Sequence, residues 1–538
     1  MFNFNPQINP YSSKRNLHYA YKGMVATSQP LAAQAGLQIM QKGGNAIDAA
    51  IATAACLTVV EPTSNGIGSD AFAIVWIDEK MYGLNASGKS PKSISIEKVR
   101  ALGFEEMPKL GMIPITVPGA PGAWSALSER FGKLPLAECL APAIDYARNG
   151  FAVSPTVAKF WNIASVVYSN NAKGNEFKSW FDTFNINDNA PSTGDLVTLK
   201  DHANTLEEIG ATNAKSFYRG DLAKKISSFI KKHGGFLTED DLSNFKPEWV
   251  DPISINYKGY DIWELPPNGQ GLIALIALNF ANSINVSDKD NAELYHMQFE
   301  VIKYAFATGK KYITDPNFSN INYKEFLTKK YADKFYGEID LSRVHDPKII
   351  PPNKSGTVYL ATADGDGNMV SFIQSNYMGF GSGIVIPNTG IAMQNRGADF
   401  SLDKNHVNAL SGSKKTYHTI IPGFMTTKGK AIGPFGIMGG YMQPQAHFQV
   451  IMNMISFGMN PQAALDAPRW QWINGKYFDI ENHFPKHIAE ELINKGHIIK
   501  MQIDSSSFGR GQIILRDPKT GVLIGGTESR CDGTIASW

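Results

Sequence analysis

The first two-thirds of the chain is dominated by apolar residues at helical spacing. Ala33, Leu37 and Met40 follow one another at i, i+4 and i+7. Ser28 stands in position to cap this helix, and two glycines at 43–44 end it. The small residues that follow predict a second, buried helix that packs closely against the first.

Further helices are predicted by apolar periodicity between Pro, Gly and Asn breaks, at residues 120–132, 136–149, 271–281, 443–457 and 460–467. Residues 160–200 differ from these segments because they are rich in Asn, Ser and Asp, with scattered aromatic residues. This composition predicts an insertion or a mobile loop.

At Thr357 the pattern changes from helical periodicity to alternation. Residues 357–375 predict two strands joined by a turn at 364–368, and strand-and-turn texture continues through 379–395 and 418–440. A last hairpin is predicted close to the C-terminus. The chain is therefore expected to be helix-rich in its first part and strand-rich in its last third, an α+β protein with a loop boundary just before Thr357.

Composition narrows the classes of partner. The 538 residues carry 51 basic and 49 acidic side chains, so the net charge of +2 predicts no nucleic-acid partner. The longest apolar runs are about 12 residues, whereas a membrane span needs about 20, so no membrane partner is expected. Three distant cysteines and no signal-like N-terminal stretch predict a cytoplasmic protein.

Motif searches point away from metal and phosphate chemistry. No pair of closely spaced cysteines could hold zinc, so we predict no metal and no other cofactor. GLNASGKS at 83–90 fits a phosphate-loop pattern, but Pro91 pushes the preceding residue towards an extended conformation where that mechanism needs a helix. The segment GDGN at 365–368 is better explained as a hairpin turn than as a calcium loop.

The boundary at Thr357 carries a candidate chemistry. Cleavage of the Gly356–Thr357 bond would give Thr357 both a hydroxyl nucleophile and a free α-amine. An α-amine has a pKa near 8, so part of it can act as a base at neutral pH. Gly439 and Gly440 precede a predicted helix, and paired glycines can direct two backbone N–H groups at one oxyanion.

These segments resemble, in order and over nearly the whole chain, the γ-glutamyltransferase (γ-glutamyl transpeptidase) family of N-terminal nucleophile (Ntn) hydrolases. The resemblance is carried by MVATSQPLAAQAGLQIMQKGGNAIDAAIATA, EPTSNGIGSDAFAI, TVYLATADGDGNMVSFIQS, MQNRGADFS, FGMNPQAALDAPRW and SRCDGTIASW. Within the family the chain is most similar to the signal-less, cephalosporin-acylase-like branch. The resemblance implies a four-layer αββα sandwich formed by both fragments of a self-cleaved precursor.

The resemblance also implies roles for individual residues. Thr357 matches the nucleophile of self-processing, and Ser375 matches a second hydroxyl that positions it. Gly439 and Gly440 match the oxyanion-hole pair. Asp399 matches the carboxylate that binds the α-amino group of a glutamyl substrate.

Departures from the family pattern concentrate in the implied substrate pocket. The family's arginine for the substrate α-carboxylate is replaced by Ser87, and Lys89, two residues on, could supply only a point charge. Four other side chains stand at changed pocket positions, namely Tyr377, Arg396, His418 and Thr419. Arg396 and His418 could bind a substrate carboxylate or could be charges outside the pocket.

The sequence therefore predicts a self-processing amidohydrolase or transpeptidase. Its fragments are 1–356, the large α subunit, and 357–538, the small β subunit, paired as a heterodimer with further dimerisation left open. The predicted substrate is a small-molecule γ-glutamyl (glutathione-like) or related N-acyl amide, with water or an amine as acceptor. The alternatives are an N-acyl (glutaryl or cephalosporin-type) acylase with little transfer, and a non-processing, non-catalytic relative.

Overall fold

The computed structural model describes residues 15–284, 289–338, 340, 342–347 and 356–538. The helices are α1 Pro30–Gln41, α2 Ala46–Val60, α3 Ile96–Ala101, α4 Ala120–Phe131, α5 Leu136–Asn149, α6 Pro155–Asn171, α7 Lys178–Phe184, α8 Lys200–Thr212, α9 Lys215–Arg219, α10 Asp221–Lys232, α11 Glu239–Ser243, α12 Gly271–Ala281, α13 Ala292–Tyr312, α14 Lys329–Glu338, α15 Met442–Ile455, α16 Pro461–Asp466 and α17 Lys486–Asn494.

The strands are β1 His18–Ala20, β2 Gly23–Thr27, β3 Asp70–Ile77, β4 Lys80–Ala86, β5 Phe151–Ala152, β6 Leu196–Val197, β7 Glu248–Val250, β8 Ile253–Tyr257, β9 Tyr260–Glu264, β10 Gly356–Asp364, β11 Met369–Tyr377, β12 Gly423–Thr427, β13 Lys430–Met438, β14 Trp470–Asn474, β15 Tyr477–Glu481, β16 Ile498–Gln502, β17 Arg510–Arg516, β18 Leu523–Thr527 and β19 Thr534–Ser537.

Two seven-stranded sheets form the centre of the fold. One has the order β1-β18-β17-β13-β12-β9-β8 and the other the order β19-β2-β10-β11-β3-β4-β7. The paired strands within each sheet run antiparallel. Strands on both sides of residue 356 contribute to each sheet, so the helix-rich and strand-rich parts share one sandwich.

Helices cover the outer face of each sheet. A core between the sheets holds side chains from both, among them Phe72, Tyr359 and Ile514. Helices α1 and α2 pack on the sheet that contains β10, and α5 packs against α2. Helices α12 and α15 pack on the other sheet, and α13 packs against α12. The arrangement is the four-layer αββα sandwich that the family resemblance implies.

The N-terminal helical hairpin forms for the reasons expected, with one shift. The side chain of Gln29 caps α1, and the Ser28 hydroxyl instead donates to Glu61. Asn45 and Asp48 form a capping box at the start of α2, in which every residue is buried. The predicted hairpin is confirmed, whereas the predicted cap is wrong by one residue.

The mobile-loop alternative predicted for 160–200 is wrong over much of that segment, because it contains most of α6 and all of α7. Its scattered aromatic residues point inward. The rings of Trp161, Tyr168 and Trp180 pack against the Phe380 ring, with centroids 5.2–6.4 Å away. The Tyr168 and Trp180 rings also contact each other, with centroids 4.6 Å apart. A polar composition with inward aromatic residues is what an amphipathic surface helix requires.

Candidate active site

Thr357 lies at the start of the central strand β10, between β2 and β11. A register shift between Gly356 and Val358 places Thr357 in a bulge opposite the end of β11. Bulges re-aim side chains and are common beside active sites. Thr357 is fully buried in the uncleaved chain.

Ser375 connects the Thr357 hydroxyl to the peptide bond that precedes it. Thr357 Oγ1 donates to Ser375 Oγ at 3.1 Å, and Ser375 Oγ donates to the Gly356 carbonyl oxygen at 2.7 Å. The backbone N–H of Tyr377 donates to the same Ser375 oxygen at 2.8 Å. One serine thus contacts both the candidate nucleophile and the carbonyl of the Gly356–Thr357 bond.

Gly356 is closely surrounded by backbone. A Cβ at this position would lie 3.1 Å from the Gly379 nitrogen and from Ser64 Cα, and 3.2 Å from the Thr63 oxygen. These contacts come from two separate turns, so a side chain would displace the carbonyl that Ser375 contacts. The absence of a Cβ is therefore a packing requirement at this point.

Gly439 and Gly440 follow β13 with φ angles of 144° and 60°, which favour glycine. In the part of the chain that the structure describes, neither N–H donates a hydrogen bond. The Gln270 side chain fixes the turn, because its amide donates to the carbonyls of Gly440 and Thr419 at 2.8 and 2.6 Å. Gln270 thus connects the Gly440 turn to Thr419, whose hydroxyl accepts from Arg396.

Arg396 lies in a short 3₁₀ turn and is fully buried. Its Nη1 donates to Thr419 Oγ1 at 2.8 Å, and its Nη2 lies 3.5 Å from Ser375 Oγ. The guanidinium also stacks 4.2 Å from the centre of the Tyr377 ring. The structure therefore places this cation beside the Ser375–Thr357 pair.

Asp70, at the start of β3, pairs with Ser375 in the strand register and faces Arg396 and His418. Its Oδ2 lies 3.9 Å from Arg396 Nε and 3.0 Å from His418 Nε2. Burial raises the pKa of Asp70 to about 7, although Arg396 opposes the shift. Burial, with help from the same arginine, holds the pKa of His418 well below its usual range.

The hydrogen bonds of His418 identify its tautomer. The backbone N–H of Ile420 donates to Nδ1 at 3.4 Å, so the ring proton is on Nε2 and points at Asp70. His418 is therefore a neutral donor to Asp70 rather than a free cation for a substrate carboxylate.

Asp399 lies in a ring of phenols. Tyr377 and Tyr441 both donate to its Oδ1, at 3.2 and 2.9 Å. Its Oδ2 is buried and has no hydrogen-bond partner among the described residues. Lys310 of α13 donates to the Tyr441 hydroxyl from the other side. The predicted substrate-binding carboxylate is thus joined to a lysine that the sequence analysis did not identify.

The structure separates Lys89 from this cluster. Lys89 is exposed, whereas Ser87 is buried in a network with Asn85 and Asn268. Asn85 and Asn268 also border a cavity of about 640 Å³. At the position where the resemblance implies an arginine, Ser87 thus contacts neutral amide groups, and the structure leaves the Lys89 side chain exposed.

Residues of one further cluster could hold a metal ion. Ligand atoms of His296, Glu300 and His497 lie within 4.8 Å of one another. The Lys303 ammonium already donates to Glu300 at 2.6 Å, and this pair is fully buried. An ammonium therefore already occupies the cationic position beside the only carboxylate of the three.

Asp70 and Lys310 are the site residues that sequence reasoning missed. Asp70 lies within EPTSNGIGSDAFAI, a segment that carries the family resemblance, but its position opposite Ser375 depends on the pairing of β3 with β11. Lys310 is one of several lysines in a charged helix, and no local signal separates it from its neighbours.

No described helix is both long enough and apolar enough to span a membrane.

Comparison with known proteins agrees with this geometry. A family model described as Gamma-glutamyltranspeptidase matches residues 32–538. The chain is 36% identical over 529 residues to the Glutathione hydrolase-like YwrD proenzyme of Bacillus subtilis (strain 168), covering 95% of this chain and 98% of that protein. It is 31% identical over 538 residues to the Oxamate amidohydrolase proenzyme of Klebsiella pneumoniae subsp. pneumoniae, covering 96% and 98%.

A solved structure matches the whole chain. The crystal structure of a cephalosporin acylase from Bacillus halodurans has a TM-score of 0.97 and 57% sequence identity, with 100% of this chain and 99% of that chain covered. The family model and these relatives cover the sandwich and the cluster around Thr357 together. The chain belongs to the gamma-glutamyltranspeptidase family of Ntn hydrolase enzymes.

Proposed function

We propose that the chain cleaves its own Gly356–Thr357 bond and then acts as an N-terminal threonine amidohydrolase. The observation that carries this proposal is the position of Ser375 Oγ, 3.1 Å from the Thr357 hydroxyl and 2.7 Å from the Gly356 carbonyl oxygen. A hydroxyl that contacts both atoms can accept the nucleophile's proton and donate its own to the carbonyl oxygen as attack proceeds.

Self-cleavage then follows in two balanced steps. Thr357 Oγ attacks the Gly356 carbonyl carbon and the C–N bond breaks, which leaves an ester between Gly356 and the Thr357 oxygen. The Thr357 nitrogen becomes a free amine by taking up the proton that the hydroxyl lost. The ester that results is hydrolysed by water, which gives a Gly356 carboxylate and restores the hydroxyl. Thr357 then carries a free α-amine beside its own oxygen, the arrangement that activates an N-terminal nucleophile.

Substrate turnover repeats this chemistry on an external amide. The Thr357 oxygen attacks the acyl carbonyl, and the α-amine takes the hydroxyl proton and passes it to the leaving amine. The N–H groups of Gly439 and Gly440 are suited to hold the oxyanion, because neither donates a hydrogen bond to any described residue. Water, or an amine acceptor, resolves the acyl-enzyme.

The proposed donors are γ-glutamyl amides, glutathione-like compounds among them, or related acyl amides. Relatives named glutathione hydrolase-like proenzyme and oxamate amidohydrolase proenzyme support amide hydrolysis, and the cephalosporin acylase match supports the alternative of an acylase with little transfer. The proposed fragments, 1–356 and 357–538, remain together as a heterodimer, and we keep the cytoplasmic location as a prediction.

Gel electrophoresis of the purified chain tests self-processing. The 58.9 kDa chain should give bands of about 39 and 20 kDa, and the smaller band should begin with TVYLA on N-terminal sequencing. Thr357→Ala should stay at full length. A wild-type protein that stays at full length and hydrolyses no amide would support the non-catalytic alternative and contradict the proposal.

Chromogenic amides test the substrate class. Hydrolysis rates on γ-glutamyl-p-nitroanilide and glutaryl-p-nitroanilide, each with and without an amine acceptor, separate the glutamyl hydrolase or transferase from the acylase. A chain that turns over only the glutaryl compound would be the acylase of the second alternative.

A further inference from the structure

Lys310, half-buried on α13, lies between two tyrosine rings. Its Nζ lies 4.0 Å from the centre of the Tyr417 ring and 3.9 Å from that of the Tyr441 ring. The two rings are stacked, with centroids 5.8 Å apart. In the described part of the chain no carboxylate forms an ion pair with Lys310, so its charge is held mainly by these rings and by the Tyr441 hydroxyl.

Tyr441 connects Lys310 directly to the glycine pair. It follows Gly440 in the chain, and its hydroxyl accepts from the Lys310 ammonium and donates to Asp399 Oδ1 at 2.9 Å. The hydroxyl is thus held from two sides. Because Tyr441 adjoins Gly440, a fixed Tyr441 ring limits the conformations that are open to the turn.

Tyr417 provides a second connection to the same turn. Its hydroxyl donates to Gln270 Oε1 at 2.8 Å. A side-chain amide has one acceptor and one donor end, so this bond orients Gln270 with its nitrogen towards the Gly440 carbonyl, to which it donates at 2.8 Å. The backbone N–H of Gln443 donates to that carbonyl as well, at 3.1 Å. Both tyrosines that contact Lys310 therefore act on the Gly440 turn.

We propose that Lys310 is a positioning residue for the oxyanion site formed by Gly439 and Gly440. It acts through two tyrosines, of which one adjoins the turn and the other orients the glutamine that binds the turn. Backbone N–H groups stabilise an oxyanion best when they are fixed before the charge develops, so a cation that holds the turn from two sides contributes to the rate. This inference rests on the proposed function of Thr357, because the turn has this role only if an acyl oxyanion forms there.

Self-cleavage and substrate turnover depend on this turn to different extents. In the uncleaved chain the Gly356 carbonyl oxygen accepts from Ser375 Oγ, so the oxyanion of self-cleavage forms beside Ser375. The N–H groups of the glycine pair are assigned to the oxyanion of an external donor. Loss of Lys310 should therefore slow turnover much more than self-cleavage.

The charged and titratable groups around Lys310 leave it cationic at neutral pH. Burial lowers the pKa of Lys310 to about 8, and Asp399 opposes the shift. Burial raises the pKa values of Tyr417 and Tyr441 well above their usual range, so both hydroxyls stay protonated. Burial and Lys310 lower the pKa of His406, so that imidazole is neutral at pH 7. Between pH 7 and pH 9, Lys310 is thus the group of this cluster that loses its charge.

The structural alternative is that Lys310 only fills the space between the two rings. Its loss would then lower stability and the amount of folded enzyme, while each folded and cleaved molecule would turn over at the wild-type rate. The positioning role instead requires a lower rate per cleaved molecule, and it requires a positive charge at this position. Both requirements can be measured.

The test measures kcat and KM per cleaved chain on γ-glutamyl-p-nitroanilide and glutaryl-p-nitroanilide. We expect Lys310→Met to lower kcat about 10- to 100-fold on whichever of the two donors the wild type uses, with little change in KM and little change in the rate of self-cleavage. Lys311→Met, at the exposed neighbouring position of α13, is the matched control and should change none of these values.

Tyr417→Phe tests the second connection and keeps the test available if Lys310→Met does not fold. This variant keeps the ring beside Lys310 and removes the bond to Gln270, so kcat should fall while KM stays near its wild-type value. The two substitutions act on one turn, so the double variant should lose less than the product of the two single losses. Fully multiplicative losses would overturn the shared path.

The pH dependence of kcat/KM tests the requirement for charge. The wild type should lose activity as pH rises through about 8, because Lys310 then loses its proton. Lys310→Arg should not show this loss, because a guanidinium stays charged throughout that range. Coincident alkaline limbs for the wild type and Lys310→Arg would overturn the positioning role.

The remaining outcomes separate this inference from the proposed function. A Lys310→Met loss confined to KM, a loss on only one of two donors that the wild type uses, or an equal loss in self-cleavage would overturn the positioning role and leave the proposed function standing. So would kcat values equal to those of Lys311→Met. A wild-type chain that neither cleaves itself nor hydrolyses either donor would overturn the proposed function and the positioning role together.

Discussion

Arg396→Gln should move the acid limb of the pH–rate profile to higher pH. The Arg396 guanidinium lies 3.5 Å from Ser375 Oγ, which in turn lies 3.1 Å from the Thr357 hydroxyl. After cleavage the α-amine of Thr357 would share this buried site with the guanidinium. A fixed positive charge disfavours protonation of a nearby amine, so Arg396 should keep more of that amine in its basic form.

The size of the effect follows from distance and from the counter-ion. Two positive charges about 6 Å apart repel by about 3 kcal/mol at an effective dielectric constant of about 20, which corresponds to about two pKa units. Asp70 offsets part of this repulsion once it ionises, and its pKa of about 7 means that it is largely protonated on the acid side. We therefore expect the limb to move up by about one to two pH units in Arg396→Gln.

The assay is kcat/KM for a p-nitroanilide between about pH 5 and pH 10, because that parameter reports the free enzyme's base. Arg396→Lys keeps the charge and should leave the limb near its wild-type position, even where the geometry of the Thr419 contact lowers the maximal rate. Gel analysis confirms that each variant has cleaved. Coincident limbs for the wild type and Arg396→Gln would refute the electrostatic argument.

Three further changes test packing and buried charge. Gly356→Ala would place a Cβ 3.1 Å from backbone atoms of two turns, so self-cleavage, measured by gel electrophoresis over time, should slow about tenfold or more. Cleavage at the wild-type rate would contradict this. Gly436→Ala would place a Cβ 2.2 Å from the Tyr359 ring and should lower the free energy of unfolding by about 1–3 kcal/mol. Gly337→Ala, in open space on α14, should instead raise the free energy of unfolding by up to about 1 kcal/mol. Equal melting temperatures for the two variants would refute the packing argument. Because burial raises the pKa of Asp70 to about 7, the folded chain holds a proton between about pH 4 and pH 7 that the unfolded chain has released. Stability should fall as pH rises through that window, and Asp70→Asn should flatten the slope of melting temperature against pH; an unchanged slope would count against the shift.

Local patterns predicted the parts of the fold that depend on local interactions. The hairpin that starts at Thr357 was predicted because alternation and an Asp-Gly-rich turn lie within 20 residues of one another, and β10 and β11 confirm it. The helix α6 was missed because its burial depends on Phe380, about 200 residues later in the chain. A composition rich in Asn and Ser cannot by itself distinguish a loop from a solvent-facing helix surface.

The candidate site shows the same limit on prediction for its cations. Lys89 was chosen because it stands two residues from a motif position, yet the structure leaves its side chain exposed. Lys310 is joined to Asp399 through the Tyr441 hydroxyl, because α13 packs beside the Gly440–Tyr441 turn, which lies about 130 residues later in the sequence. Sequence spacing therefore predicts residues whose positions are set by one strand or turn, and it misses a charge supplied by a separate helix.

Cleavage at Gly356–Thr357 should not release the small fragment. Strands β10 and β11 would belong to that fragment, but in the order β2-β10-β11-β3 they lie between two strands of the large fragment. Breaking one peptide bond leaves these ladders and the core between the sheets in place, so separation would require unfolding both sheets. The two fragments should co-elute on size-exclusion chromatography and part only in denaturant; a small fragment that elutes alone from native buffer would contradict the shared sandwich.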